Sequence, residues 1–191
     1  MEFEIGLGVS ARHLHLCRKD MDILFGKGSE LTFKKPISQP GQFASNEQVI
    51  LRTSKGDTKL RVLGPLRPYT QIELGLTDAR KAGLEPPIRL SGDLKGSAAG
   101  LLIGPAGSVE IDEGIIIASR HVHLCPATAA KLGLKNGDIV DLVTEGQRAL
   151  VLKNVIVRAS EKDADEVHID TDEANACNLD SGAKVKLVWN K

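Results

Sequence analysis

The phrase VSARHLHLC, Val9 to Cys17, returns as IASRHVHLC, Ile117 to Cys125, and the two copies hold four of the chain's five histidines. Arg12 answers Arg120, His13 answers His121, His15 answers His123 and Cys17 answers Cys125, all at one constant spacing. A chain of 191 residues that repeats itself this way is expected to fold as two related halves, each a small compact domain, with a boundary near residue 119.

A second recurrence says what kind of halves these are. TDARKAGLEPPIRLSG from Thr77, ATAAKLGLKNGDIVDLV from Ala127 and TDEANACNLDSGAKVKLV from Thr171 share an order of elements: an alanine-rich helical turn or two, a leucine, then a strand. In the last two a glycine turn, NGD at Asn136 or DSG at Asp180, precedes a run that alternates apolar and polar as a half-buried strand does. QVILRT, KLRVLG, SVEI, GIIIAS, ALVLKNVIVRAS and EVHID are further strand candidates. The expected fold is mainly β with short helices, an α+β chain built as two small β-barrels. Closing a sheet on itself removes edges that so short a chain could not otherwise cover. SQPGQFASNEQ and LSGDLKGSAAG read as loops, and long loops in a compact chain tend to be functional.

Bulk charge narrows the partners. Lys plus Arg and Asp plus Glu are equal at 25 each, so no one-signed field argues for nucleic acid or an anionic membrane. Aromatic residues at 3% are too few for the stacking platforms of single-strand binders. No basic and apolar leader and no long apolar run is visible, which gives an expectation of a cytoplasmic protein without a membrane partner. Three cysteines, Cys17, Cys125 and Cys177, are then expected as reduced thiols rather than a disulfide framework.

In a strand, His13, His15 and Cys17 would share one face, as would His121, His123 and Cys125. Two imidazoles on one face are half of a metal site for zinc or a related ion. His168, in EVHID, is the natural third ligand for His121 and His123. In the first half a carboxylate or Cys17 must complete the set, and Glu73, between Ile72 and Leu74 in TQIELG, is one possibility. The cysteines are rival ligands whose ordinary role is core packing. Arg12, Arg67 and Arg120 are possible forks for a phosphate or carboxylate, Arg67 standing in the stiff LGPLRP loop. Serine-elbow, Walker and dinucleotide fingerprints are absent, which argues against those enzyme classes.

With GVSARHLHL, SQPGQFA, RVLGPLRPYTQIELGLTDA, PPIRLSGDLKGS, IASRHVHL and HIDTDEANA in order along nearly the whole chain, the sequence closely resembles the phosphate propanoyltransferase family of PduL-type phosphotransacylases. The resemblance implies transfer of a short acyl group, propanoyl or acetyl, between coenzyme A and inorganic phosphate, with acyl phosphate as the other product. It implies two β-barrels around a shared two-metal active site, two divalent ions per chain, usually Zn2+, and a homodimer. By the same resemblance His13, His15 and Glu73 would hold one ion, His121, His123 and His168 the other, and Arg67 would contact phosphate. It places residues 12–119 in the first barrel and 1–11 with 120–191 in the second. Microcompartment members of this family carry an amphipathic extension before GVSARH, and none stands before Gly8 here, so a free cytosolic form is expected, with microcompartment association as the alternative. Two other readings are a zinc-dependent thioester or phosphoester hydrolase and a non-catalytic zinc-binding β-barrel module.

Overall fold

A computed structural model describes residues 1–190. In chain order its elements are β1 (Glu2–Ser10), β2 (His13–His15), α1 (Arg18–Phe25), β3 (Phe33–Pro36), β4 (Phe43–Thr53), β5 (Gly56–Gly64), β6 (Gln71–Leu74), α2 (Leu76–Ala82), β7 (Ile88–Arg89), β8 (Ala98–Ile103) and β9 (Ser108–Ala118). The second half continues with β10 (His121–Leu124), α3 (Pro126–Leu132), β11 (Ile139–Val143), β12 (Val151–Ala159), β13 (Glu166–Asp170), α4 (Thr171–Cys177) and β14 (Lys184–Val188). The chain is mainly β, as its alternating runs require, and forms two six-stranded barrels.

The first compact unit comprises Arg12–Ile37 and Gly41–Ala118. Its barrel runs β4-β5-β2-β6-β9, and β8 pairs with both β4 and β9 to close the ring, leaving β3 and β7 as additions to β4 and β9. The core is aliphatic: Leu14, Leu16, Met21, Leu24, Leu51, Leu60, Val62, Ile72 and Ile115 are wholly buried. The second unit comprises Met1–Ala11, Ser38–Pro40 and Ser119–Lys191, and its barrel closes in the order β1-β13-β10-β12-β11-β14. Leu7, Val122, Leu124, Leu142, Val155, Val157, Val167 and Leu187 fill it, and Trp189 packs at its edge. Each such side chain contributes about 1.5–3 kcal/mol of hydrophobic stabilisation.

Strand membership crosses between the halves. β1 precedes the histidine strand β2 of the first barrel yet pairs with β13 and β14 of the second. β9 precedes the histidine strand β10 of the second barrel yet pairs with β6 and β8 of the first. Each ring is closed by the strand that introduces the other half.

The three recurring units fold alike, as α2, α3 and α4, each followed after a turn by a strand. α4 is capped at its start by Asp170, whose carboxylate accepts from the Glu173 N–H while Glu173 reaches back to the Asp170 N–H. The SQPGQFASNEQ segment departs from its loop expectation from Phe43 onward, where β4 begins. Its polar residues are tolerated in the strand because they are bonded: the Ser45 hydroxyl donates to Val62 O at 2.9 Å, and Glu47 accepts from the Thr32 N–H and hydroxyl. A register irregularity between Ala44 and Gln48 absorbs the mismatch. The AAG of LSGDLKGSAAG likewise starts β8. SVEI and GIIIAS are one strand, β9. Among the described residues no helix is long and apolar enough to cross a membrane.

Candidate metal and phosphate site

β2 and β6 run antiparallel with His13 opposite Glu73 and His15 opposite Gln71. Alternation along β2 sends Leu14 into the core and turns both imidazoles to the other face, where their rings meet edge to face at 5.2 Å. His13, His15 and Glu73 offer donor atoms that all lie within 4.8 Å of one another. His13 Nε2 is 3.5 Å from Glu73 Oε2. Burial, reinforced by His13 and Arg67 nearby, holds the His15 pKa well below the ordinary histidine value, so its ring stays neutral and able to bind a cation.

Behind Glu73 lies a chain of hydrogen bonds. Gln71 is fully buried, and its Nε2 donates to Glu73 Oε1 at 2.6 Å and to Ser91 Oγ at 2.8 Å. The Gly92 N–H donates to Gln71 Oε1 at 2.8 Å, which fixes the amide orientation. Gly92 has φ +101, a backbone that the SG dipeptide of the RLSGD loop permits and an L side chain does not. Arg67 Nη1 donates to the same Ser91 Oγ at 3.1 Å. Glu73 Oε1 is thereby engaged, and Oε2 faces the histidines.

The second barrel repeats the arrangement. β10 and β13 are antiparallel with His121 opposite His168 and His123 opposite Glu166. The three rings stand 4.8 to 5.2 Å apart, and their donor atoms again lie within 4.8 Å of one another. An oxygen lies near one nitrogen of each ring. His121 Nδ1 donates to Ser119 O at 2.9 Å, His123 Nδ1 lies 3.1 Å from Asp163 Oδ1, and His168 Nε2 lies 2.5 Å from Glu166 Oε2, which also accepts from the Ser38 hydroxyl. Burial and the neighbouring His168 push the His121 pKa down to about 3. Burial lowers that of His123 too, against the pull of Asp163. Burial pushes Glu166 up, but its bonds from His168 and Ser38 outweigh this and keep it below the ordinary glutamate value.

These contacts test whether a cation fits. His15 Nδ1 and His123 Nδ1 are buried without a hydrogen-bond partner, and His121 and His123 face each other through Nε2 at 3.1 Å. Buried imidazole nitrogens without a partner suit a cation, and metal-binding histidines characteristically give their other nitrogen to a carboxylate or carbonyl, as His121 Nδ1 does to Ser119 O. Nitrogen and carboxylate donors in sets of three suit zinc or a similar divalent ion. Room for the second group is made by Gly8, paired with His168 across β1 and β13: a Cβ there would lie 2.7 Å from the His168 ring and 2.8 Å from Glu166.

The remaining residues singled out in the sequence fall elsewhere. β2 ends at His15, so Cys17 does not continue the histidine face; it becomes the residue before α1, its N–H donating to Thr70 Oγ1 at 3.1 Å. Cys125 precedes α3 in the same way, its N–H held by Asp165 at 2.7 Å. Arg12 is bound to Asp78 and Lys59 O, and Arg120 to Glu173 and Lys153 O, so each ties a strand start to a helix. Gln71, Ser91, Asp163 and Glu166 went unnoticed in the sequence, because their importance depends on cross-strand register and loop return.

A double β-barrel carrying one three-donor group in each barrel, with an arginine tied to the first, defines a class of chain with two candidate metal centres. The phosphate propanoyltransferase family model matches residues 6–180, and the chain belongs to that family, one of acyltransferases. It is 50% identical over 186 residues to a phosphate propanoyltransferase of Rhodopseudomonas palustris, covering 97% of this chain and 82% of that protein. It is 52% identical over 184 residues to one of Rhodobacter capsulatus, covering 96% and 86% respectively. It is 44% identical over 179 residues to one of Salmonella typhimurium, covering 93% and 85%.

Proposed function

We propose that this protein transfers a short acyl group, propanoyl or acetyl, between coenzyme A and inorganic phosphate, using the first group and Arg67. The observation that carries this reading is the continuous bonding from Arg67 through Ser91 and Gln71 to Glu73, which fixes an anion-binding fork relative to a three-donor group. Family membership supports the reaction type.

The two groups differ in charge. Beside neutral imidazoles the first has one carboxylate, Glu73, whereas Asp163 and Glu166 both touch the rings of the second. A divalent ion would therefore leave the first group net positive and the second balanced, and an anionic substrate favours the first. When bound by His13, His15 and Glu73, such an ion, zinc by the chemistry of the donors, supplies Lewis acidity toward a thioester and stabilises a thiolate.

The chain's own residues supply position. Arg67 orients phosphate with paired guanidinium donors. A phosphate oxygen then attacks the thioester carbon, the new C–O bond forms as the C–S bond breaks, and coenzyme A leaves as its thiolate. No acyl-enzyme is required, because a positioned phosphate is itself a competent nucleophile. A homodimer in the cytoplasm is part of the same reading.

The test is Arg67→Ala assayed for phosphate-dependent release of coenzyme A across a short series of acyl-CoA chain lengths. A loss of about 10²-fold or more in kcat/KM for phosphate is expected. Coenzyme A release without added phosphate would instead identify a hydrolase, and full activity after complete metal removal would remove the metal from the reading.

A further inference from the structure

The hydrogen-bond arithmetic at Ser91 leaves one donor over. Its hydroxyl oxygen faces two groups that can only donate: the Arg67 guanidinium at 3.1 Å and the Gln71 amide nitrogen at 2.8 Å. The Gln71 amide cannot be reversed, because its oxygen already receives the Gly92 N–H. Both acceptor positions of Ser91 Oγ are thus used, and its own O–H must point in a third direction. Among the described residues no acceptor receives it. Ser91 is only half-buried, and it lies next to Arg67, so this O–H can reach a ligand held by that arginine.

We infer that Ser91 is a second phosphate-binding residue, donating its hydroxyl hydrogen to a phosphoryl oxygen that Arg67 also holds. This rests on the reading of Arg67 given above. The two donor neighbours make the inference directional: they polarise the hydroxyl and prevent it from turning its hydrogen back into the protein, so the donor is fixed before substrate arrives. The ligand class is a tetrahedral oxyanion, inorganic phosphate or the phosphoryl end of an acyl phosphate.

The experiment compares Ser91→Ala, Ser91→Thr, Arg67→Ala and the Ser91→Ala/Arg67→Ala double variant. Each is measured for phosphate binding by calorimetry without acyl-CoA, for phosphate KM in the assay, and for bound metal. Ser91→Ala is expected to weaken phosphate by about tenfold or more, the size of one hydrogen bond to a charged group. Its metal content and acyl-CoA KM stay at wild type, and Ser91→Thr, which keeps the hydroxyl, binds like wild type. The double variant must bind phosphate more weakly than Arg67→Ala, since a serine that merely steadied Arg67 would have nothing left to contribute. Unchanged phosphate binding in Ser91→Ala alongside a loss in Arg67→Ala overturns the Ser91 assignment and leaves the wider reading intact. Unchanged binding in both variants overturns the two together. Loss of metal in Ser91→Ala also overturns it, placing the serine's effect on Glu73 through Gln71.

Discussion

Gln71 and Glu166 occupy the same register position in their barrels, each opposite the second histidine of its pair, Gln71 across from His15 and Glu166 across from His123. The neighbouring position two residues on is Glu73 in one barrel and His168 in the other. One carboxylate has in effect moved two residues along the strand. In the first barrel it is a candidate ligand backed by an amide; in the second it backs a histidine.

Glu166→Gln keeps the shape of the side chain but removes the charge that His168 meets at 2.5 Å. Metal affinity of the second group is expected to fall about 10–100-fold, and that of the first to hold. Competition titration against a chromogenic chelator measures both. Equal affinities in wild type and variant would show that the carboxylate has no part in orienting the ring.

Gly8→Ala places a methyl group against His168 and Glu166, whereas Gly6→Ala, in the same strand, meets nothing within 4 Å. The first variant is expected to lose about 1–3 kcal/mol by overpacking and to bind metal poorly at the second group. The second should be neutral or slightly stabilising, since alanine has less unfolded-state freedom to lose than glycine. Denaturant titration of the pair, with metal analysis, reads the difference.

Gln71→Leu removes the partner of the Gly92 N–H and the donor to Glu73 Oε1 at a fully buried position. A cost of about 1–3 kcal/mol in unfolding free energy is expected from the groups left without partners. Equilibrium urea unfolding measures it, and a wild-type midpoint would show that the chain from Arg67 to Glu73 is not structurally coupled.

Cys17→Ser and Cys125→Ser should each leave metal stoichiometry unchanged, because both residues have left the histidine strands and precede helices. Elemental analysis of the purified variants checks this, and a lost ion would make the thiol a ligand.

Leu14→Ala opens a cavity in the wholly buried core beneath His13 and His15 and is expected to cost about 2–5 kcal/mol. Thermal and chemical unfolding of the apo protein isolates that cost from any effect on metal.

Much of this was legible in the chain because strands report their faces through alternation. The doubled histidine phrase marked two equivalent strands, and the helix and turn units around Thr77, Ala127 and Thr171 marked repeated local structure. Glu73 was open to reading as a surface position, and what distinguishes it is its place opposite His13. Asp163, Glu166 and Ser91 carry no local signal: a serine in a glycine loop and two acids in a charged stretch look like solvated surface until the fold brings Arg67, His123 and His168 against them. Cys17 misled in the opposite direction, since its spacing continues the strand period but the strand stops first.

The crossed strands also set an order for making the protein. Residues 12–118 leave the ribosome as one uninterrupted stretch holding all of the first unit, so that barrel can close while synthesis continues. The second cannot. Its strand β1 emerges before that stretch and its partners β13 and β14 after it, with the Met1 nitrogen finally donating to Trp189 O at 2.8 Å. An unpaired strand must wait through most of translation, a long-range closure that is slow and exposed to aggregation. The sole tryptophan sits at that final joint, so its fluorescence marks the moment when β1 and β14 meet.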